Sequence, residues 1–194
     1  MRLACLLLLA SAAASAQPVD STAARRPRVS SLTLGPLGVA ASPDDGDLLL
    51  FGIRYLRSVG PAPLVVEIGA TEAIRLSIFG SGSPLAEAHL AFGAALSSGP
   101  LLLTAVAGPS VAEVRRSPFT DPDFDGYRSR VVPGLFAAVR GTLVILPAVG
   151  IGAEVFAHGN AKVPTVGAGL TFSFGRLPGA LVPNPPPTPR RAGP

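Results

Sequence analysis

Most of the arginines, glutamates and histidines that could act together in this chain stand at alternate positions of otherwise apolar segments. In successive segments, apolar residues occupy one parity and these ionisable residues occupy the other, which is the period of two of a β-strand. If the polar parity faces an enclosed space, the charges must pair, because a buried unpaired charge is strongly destabilising. We therefore predict an internal charge network of three arginines, three glutamates and one histidine: Arg54, Glu67, Arg75, Glu87, His89, Arg140 and Glu154.

Two functions are open for such an internal network. It can be a salt-bridged plug that fills the interior and holds the strands together, or it can be a path for protons or small solutes. The interior of a barrel of eight strands is only wide enough for side chains, which favours the plug. Phe136 also falls on the polar parity, and we expect its ring to fill interior space.

A second set of chemistry-bearing residues is the acidic run at 121–126, which reads D-P-D-F-D-G. Asp121, Asp123 and Asp125 match the first half of a calcium-binding loop, and carboxylate oxygens suit a hard cation. The twelfth position, where such a loop carries a bidentate glutamate, is Val132. The pattern predicts either an incomplete calcium site or an acidic loop tip in solvent.

Catalysis would depend on His89 or His158, the only two histidines. His89 is predicted inside the fold beside Glu87, and His158 in a turn after the seventh strand. Neither forms a nucleophile and base pair at a recognisable spacing. Cys5, the single cysteine, falls in the N-terminal apolar segment, so the rest of the chain cannot form a disulfide or a thiolate zinc site. We expect no enzyme activity and no cofactor.

Eight alternating segments must position these side chains, and the last, at 162–175, is the clearest. Its polar parity is small, with threonine, serine and glycine, so one face is wholly apolar. A soluble sheet would turn that face inward, but the other segments would then bury charges as a core. We therefore predict that the apolar parity faces lipid. In the last segment this lipid-facing set is Val166, Ala168, Leu170, Phe172 and Phe174.

The segments predict an all-β, eight-stranded, antiparallel up-and-down transmembrane β-barrel over residues 28–175. Residues 64–79 could be one strand or a hairpin, and their continuous parity favours one strand. Turn signals are predicted at 42–46, 80–84, 143–147 and 158–160. A secreted β-sandwich, or a soluble lipid-binding barrel, is the alternative. The predicted strands are 28–41, 47–57, 64–79, 85–96, 101–115, 130–142, 148–157 and 162–175.

Composition and the chain ends agree with export to a membrane. Hydrophobic residues make up 48% of the chain and charged residues 14%. Beyond the N-terminus, however, no apolar run approaches the roughly 20 residues of a transmembrane helix. Residues 1–16 predict a cleaved signal peptide, 17–27 a flexible leader, and 176–194 a disordered Pro-rich periplasmic tail. The basic residues are scattered among few aromatics, which argues against nucleic acid as a partner.

The chain resembles the small outer-membrane β-barrels of the OmpA/OmpX-like superfamily. The likeness covers residues 28–175 and includes the terminal strand ending in Phe172, Ser173 and Phe174. It implies a monomer in the outer membrane of a Gram-negative-type bacterium, with lipid and lipopolysaccharide around it. It also implies recognition of Phe174 by the barrel-assembly machinery, extracellular loops and periplasmic termini. The implied role is structural or surface-interacting, with a lipid A-modifying enzyme as the alternative.

Overall fold

The fold is a closed barrel of eight antiparallel strands, as the sequence predicts. The computed structural model describes residues 28–42, 46–60, 63–77, 80–116 and 128–181. Each strand pairs with the next along the chain, and the first pairs with the last. The strands are β1 (Ser30–Ser42), β2 (Gly46–Ser58), β3 (Leu64–Ser77), β4 (Gly80–Ser98), β5 (Leu101–Arg116), β6 (Arg128–Leu146), β7 (Val149–Asn160) and β8 (Thr165–Arg176).

Several strand boundaries differ from those predicted. β3 is one strand, so the choice of a continuous strand over a hairpin is confirmed. The predicted turn at 143–147 is wrong, because β6 continues to Leu146 and the chain turns at residues 147–148. Residues 80–84 belong to β4 rather than to a turn, and residues 158–160 belong to β7. In each case backbone pairing with a neighbouring strand prevails over local turn composition.

Some predictions fall where the structure gives no description. The signal peptide at 1–16, the leader at 17–27 and the acidic loop with Asp121, Asp123 and Asp125 lie outside the described residues, as do residues 182–194. The first residues of the segment predicted as a tail differ from that prediction. Leu177 is buried, and its amide donates to the carbonyl of Pro147, while the amide of Leu181 donates to the carbonyl of Val144. Over the described ranges, no helix is long and apolar enough to cross a membrane.

The outer surface of the barrel is apolar, and the inner surface is polar at its centre. On β8, Val166 and Leu170 are 63% and 59% exposed, while Thr171 and Thr165 are at most 1% exposed. A soluble sheet has the opposite arrangement, whereas a transmembrane barrel directs its apolar band at lipid. The closing strand therefore carries its lipid-facing set outward, as the alternation predicts.

Inside the barrel, apolar layers lie on both sides of the charged centre. We call the end that contains the start of β1 and the end of β8 the turn end, and the opposite end the loop end. Because β2 runs toward the turn end, Leu56 lies on the turn side of Arg54 and Leu48 lies on its loop side. The apolar layer at the turn end contains Val29, Leu56, Val65, Leu102, Val144 and Leu177. The layer at the loop end contains Leu48, Ala73, Leu85, Val132 and Val163.

Candidate functional site

The centre of the lumen is occupied by an ion cluster held on four strands. Arg140 and Glu154 are directly opposite each other on β6 and β7, so their side chains enter the lumen together. The Nε of Arg140 donates to Oε2 of Glu154 at 2.8 Å, and its Nη2 donates to Oε2 of Glu67 at 3.0 Å. Nη1 of Arg54, on β2, donates to Oε1 of Glu154. Glu154 therefore joins two guanidinium groups, and Arg140 joins two carboxylates.

His89 and Phe136 extend this cluster toward the loop end. The Nε2 atom of His89 lies 3.4 Å from Oε1 of Glu67. Its ring stacks on Phe136 with centroids 3.7 Å apart and planes 13° from parallel. The guanidinium carbon of Arg54 lies 4.9 Å from the Phe136 ring centroid, within the range of a cation–π contact. Phe136 thus fills interior space, and it also gives the Arg54 cation an aromatic face.

A glycine makes the room that Arg54 and His89 need. Gly69 on β3 is paired with Arg54 on one side and with His89 on the other. A Cβ atom at this position would lie 2.6 Å from Cε1 of His89 and 2.7 Å from Cγ of Arg54. The two large side chains therefore occupy the volume above Gly69, and a larger residue there would displace them.

A second polar pair lies closer to the loop end. Oε2 of Glu87 is in contact with Nδ1 of His158, and both side chains are buried. The His158 ring also packs at 5.1 Å between centroids from both Phe136 and Phe156. The prediction of His158 in a turn is wrong: β7 continues to Asn160, so residue 158 keeps the inward parity of Glu154. Phe156 follows the same inward parity and is also buried, although an alternating strand alone does not distinguish it as a site residue.

Six of the seven residues predicted for the internal network are buried in the lumen. Arg75 is the exception, since it is half-buried near the loop end of β3, beyond a register irregularity after Ala73. The buried set consequently has two arginines for three glutamates, with His158 as an additional member. These buried residues are Arg54, Glu67, Glu87, His89, Arg140 and Glu154.

The lumen shows no arrangement typical of catalysis in the part of the chain that is described. A cavity at the loop end, between β1, β7 and β8, is lined in part by Ser42, His158 and Thr165. Within the described ranges, neither hydroxyl has a hydrogen-bond partner, and neither does Nε2 of His158. No nucleophile and base pair is therefore formed there. The same residues contain no group of three or more side chains suited to hold a metal ion.

This closed barrel of eight antiparallel strands is also the fold of known small outer-membrane barrels. Among the solved structures that resemble it are three barrels of low sequence identity. The N-terminal β-barrel domain of Pseudomonas aeruginosa OprF aligns with a TM-score of 0.54 at 10% identity, over 76% of this chain and 98% of that one. Ail, the attachment invasion locus protein of Yersinia pestis, aligns with a TM-score of 0.52 at 14% identity, over 75% of this chain and 96% of Ail. Neisserial surface protein A aligns with a TM-score of 0.51 at 12% identity, over 74% of this chain and 90% of that protein.

These likenesses are structural rather than sequence-based. No family model matches the chain, and no curated protein matches it in sequence. The three structures therefore establish the fold of this chain and not its role, because one fold can serve several functions.

Proposed function

We propose that this protein is an outer-membrane barrel whose lumen is closed by side chains and which acts structurally or by presenting its loops at the cell surface. In this proposal the loop end is extracellular, and both termini are periplasmic. The observation that carries the proposal is the ion cluster at the centre of the lumen. It connects β2, β3, β6 and β7, and these strands come from different sides of the barrel wall.

The layers on either side of the cluster support a closed lumen. Leu56 and Val144 at the turn end are at most 1% exposed, and so is Leu48 at the loop end. An ion that entered the lumen would have to pass these apolar side chains and then displace paired charges. Small barrels of this width are generally filled by side chains, because eight strands enclose little space.

The names of two of the structural neighbours agree with a surface role. Ail is an attachment invasion locus protein, and the Neisserial protein is a surface protein. In the proposed orientation, the long connection between β5 and β6 is on the extracellular side, where long loops are expected in such barrels. Contact with an external partner through the loops is therefore a role that a closed lumen permits.

Conductance in planar lipid bilayers tests the closed lumen. The purified full chain should insert without producing stable, discrete channels. A double variant, Arg140→Ala with Glu154→Ala, removes the centre of the cluster and is expected to raise the current through the barrel. Heat-modifiable migration in detergent gels verifies that both proteins are folded. Stable unitary currents from the unmodified protein would refute the plug.

A proton path is the second candidate, and one observation favours it. Glu87, His89 and His158 extend the polar groups from the central cluster toward the loop end, and each can carry a proton. Proteoliposomes containing a trapped pH-sensitive dye measure this path directly. Proton flux above that of empty vesicles, and its loss in Glu87→Gln, would favour the path over the plug. Flux equal to that of empty vesicles would eliminate it.

A further inference from the structure

The outer rim of the turn end carries a group of arginines on β2, on β8 and just before β1. Arg57 of β2 and Arg176 of β8 are both paired with Ser30 of β1, so the two arginines lie on either side of one serine. All three residues have the outward parity of their strands. Arg28, two residues before Ser30, continues the row and is also exposed. The result is a compact cationic surface at the edge of the apolar band.

No carboxylate neutralises this surface among the described residues. Asp47, Glu72 and Glu113, which have the outward parity, all lie toward the loop end of their strands. There, Arg115 forms ion pairs with Glu113 at 2.7 Å and with Glu72 at 3.6 Å. The loop end thus mixes both signs of charge, whereas the charged residues described on the outer surface of the turn end are all cationic.

Below the arginines, in the direction of the membrane centre, the surface becomes apolar and aromatic. Leu32 of β1 lies between its partners Tyr55 on β2 and Phe174 on β8. These three side chains are 41–43% exposed. The hydroxyl groups of Tyr55 and Ser30 are 3.1 Å apart, so the polar edge begins directly above the rings. Aromatic residues at this level mark the boundary between hydrocarbon and headgroups in membrane barrels.

This combination has the chemistry of a phospholipid site. Guanidinium groups match the geometry of phosphate oxygens and can bind them through two parallel hydrogen bonds. Arg57 and Arg176 are separated by only one strand, so both can reach a phosphate placed above Ser30. Among the described residues, no carboxylate lies on the outer surface of this end to bind the ammonium group of a zwitterionic lipid. The acyl chains would lie on β1, along Leu32 and Leu34.

We propose that Arg28, Arg57 and Arg176, together with Ser30, bind the headgroup of an anionic glycerophospholipid at the turn end of the barrel. Binding depends on the membrane location in the proposed function but not on whether the lumen is closed. If the turn end is periplasmic, the site faces the leaflet that is rich in such lipids. Failure of lipid binding and failure of the plug are therefore distinguishable.

Native mass spectrometry of the full chain, released from mild detergent micelles, tests this site. The micelles contain phosphatidylglycerol, phosphatidylcholine or lipid A, and retained lipid is counted by mass. We expect phosphatidylglycerol to be retained in preference to phosphatidylcholine. An arginine near a membrane surface strengthens the binding of anionic lipid about fivefold. Arg57→Gln should therefore weaken the retention of phosphatidylglycerol about fivefold. The triple variant Arg28→Gln, Arg57→Gln, Arg176→Gln should abolish the preference.

A control variant removes the same number of positive charges at the other end: Arg128→Gln, Arg130→Gln and Lys162→Gln. It should retain phosphatidylglycerol like the unmodified protein, and heat-modifiable migration verifies that every variant is folded. Equal retention of the two lipids by the unmodified protein would overturn the proposal. An equal loss in the control variant would also overturn it, and so would preferential retention of lipid A at these arginines.

Discussion

Arg54 on β2 and Glu154 on β7 form an ion pair across the lumen, although their strands are not neighbours in the barrel. The two residues are 100 positions apart in the chain. Both side chains are fully buried. The pair therefore links, across the lumen, two strands that backbone hydrogen bonds do not connect directly. It can stabilise the closed barrel in a way that neighbouring strands alone cannot.

Replacement of Glu154 tests how strongly the cluster stabilises the fold. Glu154→Gln leaves Arg54 and Arg140 with Glu67 as the only carboxylate of the central cluster. Loss of one partner of a buried ion pair costs about 3–5 kcal/mol, so the free energy of unfolding in urea and detergent should fall by that order. Glu113→Gln, on the outer face, is the matched control and should leave the unfolding midpoint nearly unchanged. Equal effects of the two substitutions would contradict a stabilising cluster.

Replacement of both Arg54 and Glu154 separates the stabilisation due to their pairing from the cost of leaving one buried charge unpaired. In the double variant Arg54→Met with Glu154→Met, Arg140 and Glu67 remain paired, and no cluster charge is left alone. The double variant should be more stable than either single variant by at least about 1 kcal/mol, because each single change leaves an uncompensated charge. Urea unfolding of the four proteins in one detergent gives the coupling free energy. Strictly additive effects would mean that the two side chains do not interact.

The space at Gly69 can be tested with a single methyl group. Gly69→Ala places a Cβ against His89 and Arg54, and overpacking of this kind costs about 1–3 kcal/mol. Gly141→Ala is the control, since a Cβ at that position meets nothing within 4 Å. We expect a lower urea midpoint for Gly69→Ala and an unchanged or higher one for Gly141→Ala. The opposite order would show that the lumen has spare volume beside Gly69.

The sequence predicts the barrel well because alternation is a local property. In β8, each residue from Val166 to Phe174 can be assigned to a face from its neighbours alone, and closure onto β1 follows from the order of the strands. Strand ends are harder to predict. Gly80 and Pro84 have the composition of a turn, yet residues 80–82 pair with β3, and pairing of this kind cannot be read from one segment.

The partners within the lumen could not be predicted for a related reason. Parity shows that Arg54, Glu67 and Glu154 face inward, but it does not show which residues share one level of the barrel. That depends on the register accumulated around all eight strands. His158 shows the same limit, since its contact with Glu87 links β7 to β4, two strands that are not paired.

Arginine scanning of the lipid face tests the membrane location independently of the lumen. Leu170 lies near the middle of β8, whereas Val166 lies near its loop end, and both are exposed. In a bilayer, Leu170→Arg should cost about 2–4 kcal/mol and Val166→Arg only about 0–1 kcal/mol, because the cost of a charge falls from the midplane to the interface. Urea unfolding of the two variants in phospholipid vesicles measures this difference. In a soluble barrel the outer face meets water, so both substitutions would be nearly neutral, and that result would contradict a lipid-facing β8.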